Sequence, residues 1–164
     1  MTFAIKLLCL TVLLSLCGVS VAQEGELYTP GHGALQVFDE QGWQATPQWV
    51  QVWIGIMAMS FLAGILFLKN HIPARWLIGG FVAGILFSKI AFSVFDLLPL
   101  SGLVALVHIV FWSPGLYKLV KEHAFLGPLS AYSVWAGWIT FVVLFSFFFD
   151  MRDAAIYLNH MLLS

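Results

Sequence analysis

Residues 49–68 read WVQVWIGIMAMSFLAGILFL, an apolar run without one charged side chain. An α-helix rises about 1.5 Å per residue, so a run of about 20 residues matches the roughly 30 Å of hydrocarbon in a bilayer. Three further runs have similar character: Trp76–Phe95, Leu97–Tyr117 and Tyr132–Phe149. In lipid an open strand leaves backbone groups unpaired, so each run is expected to be helical. The expected fold class is an all-α membrane protein, a four-transmembrane-helix bundle.

Composition agrees with that reading. Of 164 residues, 61% are hydrophobic and 9% charged, against roughly 45–50% and about 25% in soluble domains. A disordered chain needs low hydrophobicity and high charge, and a nucleic-acid binder needs a basic excess, whereas this chain carries a net −1. The lipid bilayer is the expected partner, with no nucleic acid.

Residues 1–22 have the three parts of a secretory signal: Lys6, an apolar core from Leu7 to Cys17, and small residues Ser20 and Ala22 before Gln23. Cleavage there is expected to remove both cysteines, Cys9 and Cys17, and with them thiolate chemistry and disulfides. An uncleaved segment is the alternative and adds a fifth span. Residues 23–47 are polar, with Glu24, Glu26, Asp39 and Glu40 and no Lys or Arg. They read as an exposed acidic tail with a short helix near Ala34–Glu40 and a lone His32 in a turn.

Two arguments give one orientation. A cleaved signal puts the tail outside the cytoplasm, so the loops at Lys69–Arg75 and Lys118–Ser130 face inward. Those loops hold Lys69, Arg75, Lys118 and Lys121, four of the six basic residues that follow the signal, as the positive-inside rule requires. The expected location is a bacterial inner membrane, with the tail periplasmic and a periplasmic C-terminal helix, 150–164, continuing the fourth span. Trp49, Trp53, Trp76, Trp112, Tyr117, Tyr132, Trp135 and Trp138 fall toward span ends and are expected at the interfaces. His71 and His123, beside Lys69 and Lys121, read as solvated loop residues.

The nine residues Phe61–Lys69 match Phe81–Lys89 at seven positions. Shared packing chemistry is the favoured explanation, with duplication the alternative. Ser60 with Gly64, and Gly80 with Gly84, are small-x-x-x-small pairs that allow close helix approach.

The polar residues within or beside the spans are the candidate binding or proton-relay groups, because lipid makes them expensive to keep. Lys89, Ser93 and Asp96 share one face of the second span, opposite Gly80, Gly84 and Ala91. Lys89 either pairs with Asp96 or snorkels to the headgroups. In the third span Ser101, Ala105, His108 and Trp112 form a stripe expected to face protein, where His108 relays protons, ligates haem or fixes register by hydrogen bonding. The Ser113-Pro114-Gly115 sequence is expected to end or kink that span.

After the fourth span Asp150, Asp153, Tyr157 and His160 recur at spacings of three, four and three. They form either a weak metal set of Asp150, Asp153 and His160, or the wet face of an interfacial helix. Arg152 lies off that stripe, placed to pair with Asp96. Lys89, Ser93, Asp96, His108, Asp150, Arg152 and Asp153 are expected to converge in the outer half of the bundle.

No Gly-x-Ser-x-Gly, phosphate-binding loop, His-Glu-x-x-His or Cys-x-x-Cys-His motif is present. The reading therefore leans against an enzyme and predicts no cofactor. A non-catalytic accessory or assembly component comes first, as a homo-oligomer or in a membrane complex. A proton- or ion-coupled transporter using Lys89, Asp96 and His108 comes second. A haem-binding electron-transfer subunit using His108 and His160 is the weaker third.

Overall fold

The structure, a computed structural model, describes residues 33–95 and 97–163. The expected signal peptide at 1–22, Glu24, Glu26, His32 and Asp96 lie outside the described residues. The regular elements of the described chain are all helical, in the order α1 Glu40–Ala45, α2 Gln48–Gly64 with a 3-10 turn Ile65–Phe67, α3 Ile72–Val94, α4 Ser101–Lys121 and α5 Ala131–Leu163. Four of these, α2 with its turn and α3 to α5, are long and apolar enough to cross a membrane. The chain is a small multi-pass membrane protein by that architecture. Residues 33–47 mark one end of the bundle, the cap end, and residues 68–71 and 122–130 the other, the loop end.

Local chemistry sets the helix ends. Asp39 caps α1, its carboxylate accepting from the Gly42 N–H at 2.8 Å. The Gln51 side chain donates to the carbonyls of Trp43 and Thr46 at the end of α1. Arg75, in the first turn of α3, does the same for the end of α2, donating to Leu68 O and Lys69 O at 2.6 Å each. At the end of α4, His123 takes the left-handed backbone conformation with φ 49°. Its neighbour Ala124 donates its N–H back to Leu119 O at 3.1 Å, closing the helix.

Several boundaries differ from the sequence reading. The third span starts at Ser101 rather than Leu97, because Pro99 cannot donate and disfavours helix at the residue before it, and Leu100 at the helix start is extended, with φ −68° and ψ 140°. It also passes through Pro114 to Lys121. One missing hydrogen bond does not end a helix held between two neighbours in an apolar setting. The fourth span continues past Phe149, as expected, and the whole forms one helix of 33 residues. That is about 50 Å at 1.5 Å per residue, well over the roughly 30 Å of hydrocarbon.

The tail is corrected most. Its helix is at Glu40–Ala45, not Ala34–Glu40, and Ala34, Val37 and Thr46 are buried. The reason is hydrogen bonding at the start of α4, whose first N–H groups have no partner within the helix. Ser101 N–H donates to Gln36 O at 2.9 Å and Gly102 N–H to Ala34 O at 2.7 Å, while Phe38 N–H donates to Pro99 O. The segment 33–47 is thus folded onto the cap end.

The helix α4 is central, packed along α3 on one side and α5 on the other, with α2 against α5 and α3. A Cβ on Gly80 would stand 2.0 Å from Phe111 O, and one on Gly115 2.4 Å from Leu77 Cα, so the α3 and α4 backbones meet at glycine. Gly84 faces Val107 in the same seam. On the other pair, Gly64 sits against Trp135 and Ile78, and Ser60 accepts from Trp138 Nε1 through its hydroxyl and from Trp135 Nε1 through its carbonyl. Phe61 and Phe81, matched residues of the internal similarity, stack on each other at 4.4 Å. Shared packing chemistry accounts for that much of the similarity.

Trp112 and Trp135 are corrected from interfacial to core, at 2% and 6% exposure. The Trp135 N–H is satisfied inside the bundle, so its ring needs no wet boundary. Trp49, Trp76, Tyr117 and Trp138 are exposed, as expected of interfacial aromatics. His71 is half-buried and stacked on Tyr132 at 3.4 Å, not a free loop residue.

Candidate functional site

The stripe Ser101, Ala105, His108 and Trp112 faces protein. Ser101, Ala105 and Trp112 are buried, and His108 is partly buried. Seven residues separate Ser101 from His108, which places the imidazole about 10 Å below the start of α4. Across from it on α5 is Asp150, with His108 Nδ1 and Asp150 Oδ2 3.3 Å apart and side chains 23% and 16% exposed. An ionised carboxylate can only accept, so it pairs with the tautomer that carries its proton on Nδ1. On its other side the imidazole stacks on Trp112 at 4.0 Å and 18°. The ring is therefore held in plane by an indole and in rotation by a carboxylate.

Beside this pair lies a cavity of about 100 Å³, bounded by α2, α4, α5 and Phe38 of the cap segment. Its polar lining is His108, Asp150, Asp153, Ser101 and Ser146, and its apolar lining includes the rings of Trp49, Trp53, Phe145 and Phe149. Trp53 and Phe145 meet edge to face at 4.6 Å. Asp153 is 5% exposed. Asp150 and Asp153 are both engaged in interactions within the protein. Ser146 donates to Met57 Sδ at 3.3 Å on the floor of the cavity.

Toward the loop end, aromatic rings close the recess. Trp112 packs with Phe61 at 4.8 Å, Phe81 at 6.4 Å and Phe147 at 6.5 Å. Met57, Leu77, Ile139, Val142 and Val143 complete a dry core behind these rings. The site is a blind recess at one end of the bundle.

Of the seven expected residues, His108, Asp150 and Asp153 come together. Lys89 and Ser93 do not: both are exposed on α3, and Ser93 Oγ donates to the Lys89 carbonyl, one turn back. The glycine face of α3 is taken by α4, so the opposite face is turned away from the cavity. Arg152 is exposed on α5 outside the cavity lining, and Asp96, its expected partner, is outside the described residues.

His160 is exposed as well, and ten residues of helix carry it about 15 Å along α5 from Asp150. That distance separates it from His108 as a second haem ligand. It also separates it from Asp150 in a metal set, and among the described residues no group of three His, Cys, Asp or Glu gathers to hold a metal ion.

As far as Tyr157, the stripe on α5 packs inward instead of lying wet at the interface. Asp153 and Tyr157 are buried against the start of α4, where a Cβ on Gly102 would meet Tyr157 Cβ at 2.5 Å and Asp153 O at 2.7 Å. Sequence reasoning missed Ser146, Trp53, Phe145 and Phe149. Ser146 was within reach of it, since it stands four residues before Asp150 on the same stripe. The rings gave no signal, because aromatics fill every span. No protein-family model, no curated protein and no solved structure matches this chain.

Proposed function

We propose that this protein is a non-catalytic membrane component that works by binding at its cap end, as an accessory or assembly partner, and carries no solute across the bilayer. The observation that carries this reading is the blind recess: His108, Asp150 and Asp153 share one cavity, and the Phe61, Phe81, Trp112 and Phe147 rings fill the bundle below it. A relay needs polar groups in succession, and Lys89 is turned away from His108. The cap end is outside the cytoplasm, in a bacterial inner membrane, because four of the six basic residues after position 22 belong to the loop end. The exposed Lys89 and Ser93 give α3 a polar strip suited to a second membrane helix.

Purified full-length protein in liposomes enclosing a pH-sensitive dye tests this. Proton and sodium leak is expected to equal that of empty liposomes, and cross-linking in native membranes is expected to trap a partner or a second copy through α3. A flux that His108→Leu abolishes, in protein that remains folded, would overturn the reading in favour of a proton-coupled carrier.

A further inference from the structure

We propose that the cavity between α2, α4 and α5 binds a small organic ammonium group, with aromatic rings around the cation and the Asp150 and Asp153 carboxylates at its polar wall. This rests on the reading of the cap-end recess as a binding site, and it adds the chemistry of the ligand. Three features of the lining select that class.

Charge comes first. Among the described residues lining the cavity there are two carboxylates and one imidazole, and neither lysine nor arginine. Each carboxylate presents about four lone-pair positions, so engagement within the protein leaves acceptor capacity for a donor or a positive charge in the cavity. An anionic ligand would meet like charge.

The second feature is the rings. Trp49, Trp53, Phe145 and Phe149 line the same space, and the negative faces of aromatic rings attract organic cations, indole most strongly. A neutral apolar occupant would gain from the rings and lose at the carboxylates. A bare divalent ion needs six to eight oxygens when it is calcium, or several retained waters when it is magnesium, and this wall is mostly carbon. An alkylammonium satisfies both surfaces at once.

Access is the third. Trp49, Phe145 and Phe149 are the exposed members of the lining, Trp49 at 61%, so the cavity opens between α2 and α5 near the cap end. A headgroup of phosphatidylcholine reaches that mouth from the bilayer, and a soluble amine reaches it from water. The chemistry recognised is the same.

The experiment uses full-length protein in nanodiscs of phosphatidylglycerol, titrated with tetramethylammonium chloride by calorimetry, with sodium chloride as the matched control. Saturable one-to-one binding is expected for tetramethylammonium alone. Asp153→Asn and Trp49→Ala are each expected to weaken it about tenfold, from loss of one charge or one ring, whereas Lys89→Met, outside the cavity, is expected to bind as the wild type does. Trp49 is exposed, so its variant tests the site even where Asp153→Asn fails to fold. Nanodiscs containing phosphatidylcholine identify the source: competition assigns a lipid headgroup, and undiminished binding assigns a soluble amine.

Absence of saturable binding to the folded wild type would overturn the inference, as would unchanged affinity in folded Trp49→Ala and Asp153→Asn. The liposome leak assay is independent of both, so a conducting protein defeats the binding-component reading, and a tight bundle that ignores tetramethylammonium defeats only the ligand.

Discussion

Gly79 and Gly80 are neighbours in the chain with opposite packing. A Cβ on Gly79 meets nothing within 4 Å, whereas one on Gly80 would stand 2.0 Å from the Phe111 carbonyl oxygen, which is backbone and cannot swing aside. Gly80→Ala must therefore push α3 from α4 along the seam that also holds Gly84 and Gly115. We expect a loss of about 1–3 kcal/mol, the usual range for overpacking, and Gly79→Ala to be within about 0.5 kcal/mol of the wild type, as for surface substitutions away from such features. Unfolding in mixed micelles by increasing dodecyl sulfate measures both, and equal stability of the two variants would refute the close seam. Gly80 was legible in the sequence through its spacing to Gly84. Gly115 was not, because Pro114 beside it signals a break more strongly than a glycine signals a contact. His108 was legible as a protein-facing residue for the same reason as Gly80, by period. Asp150 was legible as a member of the same cluster, but its direct pairing with His108 was not, because 42 residues separate them and period says which face a residue occupies, never which helix lies across from it.

At the scale of elements, the four spans were legible because length and apolarity alone decide them, and the cap segment was not. Residues 33–47 are polar and rich in breakers, which reads as loop. Their order comes from the unpartnered N–H groups of another helix, a demand invisible in the segment's own composition. The carbonyls of Ala34 and Gln36 meet that demand at Gly102 and Ser101. Gly102 lets them approach, since its absent Cβ would touch Ala34 O at 3.0 Å as well as Tyr157 and Asp153. Gly102→Val is expected to lift the segment from α4 and part α4 from the Asp153–Tyr157 stretch of α5. Amide hydrogen exchange reads this directly: at least tenfold faster exchange at Ser101 and Gly102, corresponding to about 1.4 kcal/mol of lost protection, with the Leu77 and Leu119 amides unchanged. Slow exchange at Ser101 and Gly102 in the variant would show that other groups hold the start of α4. Because Phe38 lines the cavity, the same variant is expected to weaken tetramethylammonium binding, which links the cap segment to the site it covers.

For the whole molecule, the number of crossings fixes how the ends relate. Four spans are an even number, and the structure brings the two ends of the described chain together: Gly102 lies between Ala34 O from one end and Tyr157 from the other. Residues 33–47 and the C-terminal turns of α5 must then face the same side, with the 68–71 turn facing the other. The distribution of charge chooses between the two senses. Lys69, Arg75, Lys118 and Lys121 belong to the loop end, and of the two other bases after position 22, Lys89 and Arg152, the latter lies on the last turns of α5. Basic residues near span ends are retained on the cytoplasmic side, so the proposed orientation puts the loop end inside and the cap end, with its cavity, outside. A fluorescent reporter that matures only in the cytoplasm is expected to light when inserted after His71 and to stay dark at the C-terminus, and a phosphatase active only outside is expected to do the reverse. Two reporters on the same side would break the four-crossing architecture itself. A clean inversion, phosphatase active at residue 71, would keep the architecture and put the aromatic cavity on the cytoplasmic face, where the ammonium ligand would have to come from inside the cell.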